Sequence, residues 1–234
     1  MASPSSPLYR NQLLSALSSA NVDLLQPHLK LVTMETRKNL EEPNKPIKHV
    51  YFMEDGFASV VATSDRVNVE VGLIGREGMS GLTIVLGNHR TPHSTYIQAA
   101  GHAQRISVPH LRTAMQASTS MRGLFMKFVQ AFMIQTSHTA VANARAKIEV
   151  RLARWILMAH DRIEANHLPL THEFLALMLG VRRAGVTEAL HVLESRRLIK
   201  SSRGQVVVRD RKGIERSAGS SYGIPEAEYR RLIA

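Results

Sequence analysis

The stretch Thr171-His-Glu-Phe-Leu-Ala-Leu-Met-Leu-Gly-Val-Arg-Arg-Ala-Gly-Val-Thr-Glu-Ala-Leu-His-Val-Leu-Glu-Ser-Arg-Arg197 decides the fold. It opens on a threonine whose hydroxyl can satisfy an orphan amide of a first helical turn, and the helix predicted from it runs from His172 to Leu179. Gly180 then ends that helix and can supply the positive φ of a tight turn. A second helix is predicted from about Arg182 to Arg196, with Val186, Leu190 and Leu193 on its inner face. Two helices joined by a short glycine-containing turn are a helix-turn-helix. Beyond it, Leu198-Ile-Lys200, a turn at Ser201 to Gly204, and Gln205-Val-Val-Val208 predict a β-hairpin, or wing.

Charge collects on the same stretch. The chain has 234 residues, 30 Lys+Arg against 19 Asp+Glu, and a formal net charge of +11. Between Arg182 and Arg216 stand ten Lys/Arg and four Asp/Glu. A strongly basic balance speaks to an anionic partner rather than to fold. A helix of this length fits the major groove of B-DNA, and its N-terminal residues meet the base edges. Arg182, Arg183, Thr187 and His191 share an outer face opposite the apolar one and are predicted to read bases. Thr171, His172 and, at the wing tip, Arg203 suit phosphate contacts, which position without specifying. Duplex DNA is the partner this arrangement predicts.

Working outward, residues 47–108 have the texture of many short strands. His49–Met53, Phe57–Ala62, the alternating Val67–Ile74 and Thr95–Ala99 are the clearest, and Glu54-Asp-Gly56 reads as a hairpin turn between the first two. Such spacing predicts an antiparallel roll or sandwich. From about 118 to 144 a long helix follows, with Met121, Phe125, Phe128, Phe132, Gln135 and Thr139 recurring every three and four residues. A repeat of about 3.5 residues is the seam of two helices packed along each other, here read as a homodimer interface. The alternative is a helix lying on its own chain's strands. A further helix is predicted over Glu149 to Ile163, after a joint near Lys147. The fold class is therefore α+β, with a β-roll and dimerisation helix over 1–146 and a winged helix over 147–234.

Composition excludes much chemistry. With no cysteine there is no disulfide, thiolate zinc site, cysteine-bound iron–sulfur cluster or cysteine nucleophile. The start of the chain lacks the pattern of a secretory signal, and no run of about 18 apolar residues appears, so a cytoplasmic protein without membrane contact is expected. His89 and His93 have metal-ligand spacing but no carboxylate partner, so no metal is assigned. A cupin-like β-roll metal enzyme would need clustered His and Glu ligands, and a different winged-helix repressor class would leave the β-half unexplained. No catalytic residue is assigned.

The chain resembles the CRP/FNR superfamily of bacterial transcription regulators over nearly its whole length. The resemblance rests on Val50-Tyr-Phe-Met-Glu-Asp-Gly56 with Ser59, on Val71-Gly-Leu-Ile-Gly-Arg-Glu-Gly-Met-Ser-Gly-Leu82, and on the helix-turn-helix and wing. It implies a cyclic-nucleotide-binding-like β-roll, a long dimer helix, a dimer on a pseudo-palindromic operator, and contact with RNA polymerase. Its nucleotide binders place a carboxylate and an arginine on the ligand, whereas the aligned positions here are Gly81-Leu82 and about His93-Ser94-Thr95. An apolar side chain cannot accept a ribose hydrogen bond, and a neutral imidazole is a poor substitute for a guanidinium clamp. Cyclic AMP is therefore disfavoured and no cofactor is assigned, although Glu77 and Arg90 could substitute in a shifted register. Thr136-Ser137 match the family's polar pair that reaches the base, with polar filler at a seam as the alternative. In the second helix, Arg183 matches the first base-reading arginine, while Ala184 and Glu188 replace the cyclic-AMP branch's glutamate and arginine. Glu188 can accept from a cytosine amino group.

Overall fold

The computed structural model describes residues 8–64 and 67–233. Along the chain run α1 (Gln12–Ser15), α2 (Ser19–Leu25), β1 (Lys30–Met34), β2 (Asn39–Glu41), β3 (His49–Met53), β4 (Phe57–Ser64) and β5 (Val67–Ile74). Then come α3 (Leu82–Val85), β6 (Ser94–Ala99), β7 (Gly101–Ser107), α4 (Val108–Ala117) and α5 (Thr119–Arg145). The remainder is α6 (Ile148–His160), β8 (His167–Leu168), α7 (His172–Leu179), α8 (Arg183–Ser195), β9 (Ile199–Ser202), β10 (Gln205–Val208), α9 (Arg211–Ala218) and α10 (Ile224–Ile233). The chain divides into two compact units: Met1–Ala58, Ile74–Val129 and Ile233–Ala234 form one, and Ser59–Leu73 with Gln130–Leu232 the other.

In the first unit an antiparallel sheet has the order β1-β7-β3, and β2 pairs antiparallel with β6. Met34 of β1, Val50 to Met53 of β3, and Ala103 and Ile106 of β7 are buried. The hairpin expected at Glu54-Asp-Gly56 is not formed, because β3 takes β7 as its partner. The two carboxylates of that turn are used elsewhere. Glu54 Oε2 accepts from the amides of Arg10 and Asn11 at 2.6 and 3.1 Å, and Asp55 Oδ1 accepts from the amide of His102 at 2.7 Å. The turn therefore anchors neighbouring segments while Gly56, at φ 67°, reverses the chain.

The second unit contains most of the adjacent strands β4 and β5, within Ser59–Leu73, and everything from Gln130 to Leu232. Its helical core joins Leu152, Ile156 and Leu157 of α6 to Leu175 and Met178 of α7 and to Val186, Leu190 and Leu193 of α8. The wing is a three-stranded sheet of order β8-β10-β9, in which the short β8 was not foreseen. α9 is fastened to the end of α6, since Arg211 and the Tyr222 hydroxyl donate to the two oxygens of Asp161 at 2.7 and 2.8 Å. Within this unit the Glu70 carboxylate is fully enclosed. It accepts from the Ser59 hydroxyl and from the Trp155 indole, each at 2.6 Å.

α5 is 27 residues long, close to the expected 118–144, but its expected seam faces inward. Met121, Phe125, Phe128, Phe132 and Gln135 are all buried in the chain's own packing, and Thr139 is half-buried. In the first unit the Phe125 ring lies 5.6 Å from Phe52, and a Cβ on Gly78 would stand 2.1 Å from the Phe128 ring. In the second, a Cβ on Gly72 would meet Phe132 at 2.7 Å. Gln135 acts as a strand partner there: its Oε1 accepts from the Leu73 amide at 2.7 Å and its Nε2 donates to the Leu73 carbonyl at 3.2 Å. The apolar rhythm thus marks a helix lying on its own strands. The outer face carries a second row at the same spacing, Gly123, Met126, Gln130, Met133, Ser137, Ala140 and Ala144, all exposed and none charged.

Candidate nucleic-acid interface

The helix-turn-helix is built by local chemistry. The Thr171 hydroxyl accepts from the Phe174 amide at 3.1 Å and caps α7. Gly180 closes it at φ 62°, its amide returning to Ala176 and Leu177. α8 then begins after Arg182, whose backbone is still extended. Burial of Val186, Ala189, Leu190 and Leu193 fixes the rotation of α8, so that Arg182, Arg183, Ala184, Glu188 and His191 are exposed on the opposite face. Four of the predicted base-reading residues, Arg182, Arg183, Glu188 and His191, therefore present exposed side chains.

α7, α8 and the wing enclose a groove of about 660 Å³, lined by Thr171, His172, Glu173, Arg183, His191, Glu194, Arg203 and Gly204 among others. The wing turn is the pair Arg203-Gly204, with Gly204 at φ 76°. Glu194 Oε1 accepts from the Ser201 amide at 3.0 Å, which pins the wing to α8. All three predicted phosphate residues, Thr171, His172 and Arg203, thus line one groove with Arg183 and His191.

Thr187 is engaged differently from its neighbours. Its hydroxyl donates to the Arg183 carbonyl at 3.1 Å and lies 3.0 Å from His172 Nδ1. A side chain bonded in both directions within the protein has little left for a base edge.

The residues aligned with an effector pocket lie in both units. In the first, Gly81 is buried at φ 76°, Leu82, His93 and Ser94 are half-buried, and Thr95 is buried. The amide of Gly81 already donates, at 2.6 Å, to Oε1 of Glu41, a residue that sequence reading did not single out. Burial raises the Glu41 carboxyl above its usual range, against the opposing effect of its bonds from Gly81 and Thr95. In the second unit, Thr136 and Ser137 donate their hydroxyl protons to Phe132 and Met133 carbonyls of their own helix at 2.9 Å. Among the described residues, no three His, Asp or Glu side chains gather as a metal site, and no helix is long and apolar enough to cross a membrane.

Residues 150–217 match the model of the Crp-like helix-turn-helix domain. Among solved structures, FixK2 from Bradyrhizobium japonicum is similar at 14% identity and a TM-score of 0.69, over 82% of this chain and 98% of its own. CLP of Xanthomonas campestris, a regulator responsive to c-di-GMP, is similar at 18% and 0.64, over 82% and 99%. A CRP/FNR-family transcriptional regulator of Thermus thermophilus is similar at 18% and 0.60, over 82% and 100%. No curated protein sequence matches the chain.

Proposed function

We propose a specific mode of action for this chain from the premise that it is a CRP/FNR-type DNA-binding transcriptional regulator, by its Crp-like helix-turn-helix domain at 150–217 and its fold. It acts in the cytoplasm as a homodimer on a pseudo-palindromic operator and contacts RNA polymerase there. Residues 1–146 form its effector-like part and 147–234 its DNA-binding part. The family is one of regulators, not of enzymes.

The observation that carries this reading is the exposed row Arg182, Arg183, Glu188 and His191, of which Arg183 and His191 line one groove with Arg203 of the wing and His172 of α7. α8 enters the major groove. Arg183 takes guanine O6 and N7, and Glu188 takes a cytosine amino group. His172, Thr171 and Arg203 fix the register through phosphates. Two copies meet along the uncharged outer row of α5, whose spacing of about 3.5 residues suits a parallel or antiparallel helix pair. Gly81, Leu82, His93, Ser94 and Thr95, with Thr136 and Ser137, mark the effector region. Leu82 and His93 stand where the resemblance places charge in nucleotide binders, and the Gly81 amide is already bonded to Glu41, which disfavours cyclic AMP as the effector.

Selection of duplexes from a randomised pool by the full-length chain tests this. A palindromic consensus with two half-sites one helical turn apart is expected. Recovery of no consensus removes the sequence-reading function.

A further inference from the structure

We infer that Glu70 of β5 is a positioning residue for DNA reading: through the Trp155 indole it sets the seat of α7, and with it the angle at which α8 meets a duplex. The inference rests on the DNA-reading function proposed above and deepens it.

β5 reaches the helix-turn-helix at two successive residues. Val69 does so directly, since a Cβ on Gly180, in the turn between α7 and α8, would stand 3.3 Å from its Cγ2. Glu70 does so through α6. Its Oε1 accepts from the Trp155 indole at 2.6 Å, and the indole in turn meets Phe174 of α7 edge-on, with 5.6 Å between ring centroids. α6 also holds the far end of α7, where the Arg151 guanidinium donates to the Leu179 carbonyl. All of these residues belong to the second unit.

The direction of the Glu70 bond is set by its partner. An indole N–H can only donate, so Oε1 accepts from it whichever charge the carboxyl carries. The Ser59 hydroxyl of β4, 2.6 Å from Oε2, holds the other oxygen. Enclosing a carboxyl costs more than enclosing a leucine, and stability alone favours the apolar residue. What the carboxyl supplies instead is direction. Two short bonds fix its plane, the carboxyl fixes the indole, and the indole fixes where the Phe174 ring can lie. An apolar contact in its place would leave the indole free to slide. Base reading needs this seat more than charge-driven binding does. Bidentate contacts to base edges require α8 at one angle, whereas attraction to phosphates tolerates a tilt.

The test uses the full-length chain, a duplex that the wild type itself selects from a randomised pool, and a random duplex of equal length. Affinity for both is measured by fluorescence anisotropy at constant salt and pH, at a temperature where each variant's melt shows it folded. Glu70→Leu and Trp155→Phe should each lose about tenfold on the selected duplex and less than about threefold on the random one. Glu70→Gln keeps an acceptor for the indole and should stay within about threefold of wild type on both. Either single substitution breaks the same bond, so the double variant, Glu70→Leu with Trp155→Phe, should lose no more than the worse of the two alone. Trp155→Phe keeps an aromatic ring in the core and decides the matter where Glu70→Leu does not fold. Unchanged selectivity in the folded single variants, equal losses on both duplexes, a loss in Glu70→Gln as large as in Glu70→Leu, or additive losses in the double variant overturns the inference while leaving DNA reading in place. Failure of the wild type to select any duplex overturns both.

Discussion

The indole of Trp155 donates a 2.6 Å hydrogen bond to Glu70 Oε1 and meets the ring of Phe174 edge-on at 5.6 Å. One side chain of α6 thereby touches both a buried carboxylate of β5 and the first helix of the helix-turn-helix. Ser59 completes the carboxylate's partners, and Arg154 and Arg162 lie near enough to favour its charge. Burial outweighs them.

Burial pushes the Glu70 carboxyl up to about 7. Because an unfolded glutamate titrates near the ordinary value, the folded state holds an extra proton between that value and about 7. The stability this brings is present at low pH and lost as pH rises through the window, by up to about 3 kcal/mol. Glu70→Gln keeps an acceptor for the indole and should remove the loss. The measurement is the difference in unfolding free energy between wild type and variant at pH 4.5 and 7.5, followed by fluorescence of Trp155, the chain's single tryptophan. A difference independent of pH would assign the carboxylate no such role.

The two rows of α5 predict opposite outcomes for the same substitution. Met133→Glu and Met126→Glu alter exposed side chains, so the folded fraction should be unchanged and the sedimentation mass should drop to that of one chain. Phe128→Glu places a charge against Gly78 in the core and should cost about 3–5 kcal/mol, seen as a collapsed melt rather than as dissociation.

Arg183 and Arg203 should differ in what they lose. Arg183→Ala should cost about 1–3 kcal/mol on the selected duplex and little on random DNA, relaxing one operator position. Arg203→Ala should weaken both alike and lower the slope of log affinity against log salt by about 0.9. Equal losses on both duplexes for Arg183→Ala would move that residue to the backbone.

Gly180→Ala tests the turn. At φ 62° a side chain is strained, and the new Cβ would lie 3.3 Å from Val69. A loss of about 1–2 kcal/mol in stability is expected in thermal or denaturant unfolding, with a larger loss of DNA affinity if α8 tilts.

The winged half could be read from sequence because its signals are local. Thr171 caps, Gly180 terminates and Val186, Leu190 and Leu193 orient, each within a few residues of the element it controls. β1 and β7 escaped because their pairing is long-range: Lys30 faces Arg105 and Thr33 faces His102 across about 70 residues of chain, and neither strand alternates cleanly. The start of α9 is local in the same way, since the Asp210 side chain accepts from the Gly213 amide at 2.9 Å as an ordinary cap. Periodicity placed α5 and gave its apolar face, yet could not tell what that face meets. Glu41 and Glu70 became buried only through tertiary packing, which no local pattern encodes.

The paired rows of α5 separate two kinds of selection on a single helix. A change at Phe125, Phe128 or Phe132 is judged by whether the chain folds at all. A change at Met126, Gln130 or Met133 is judged only by what the finished surface meets. Alternating every three or four residues, the two sets can drift independently, so partner preference can evolve along this helix without passing through an unfolded ancestor.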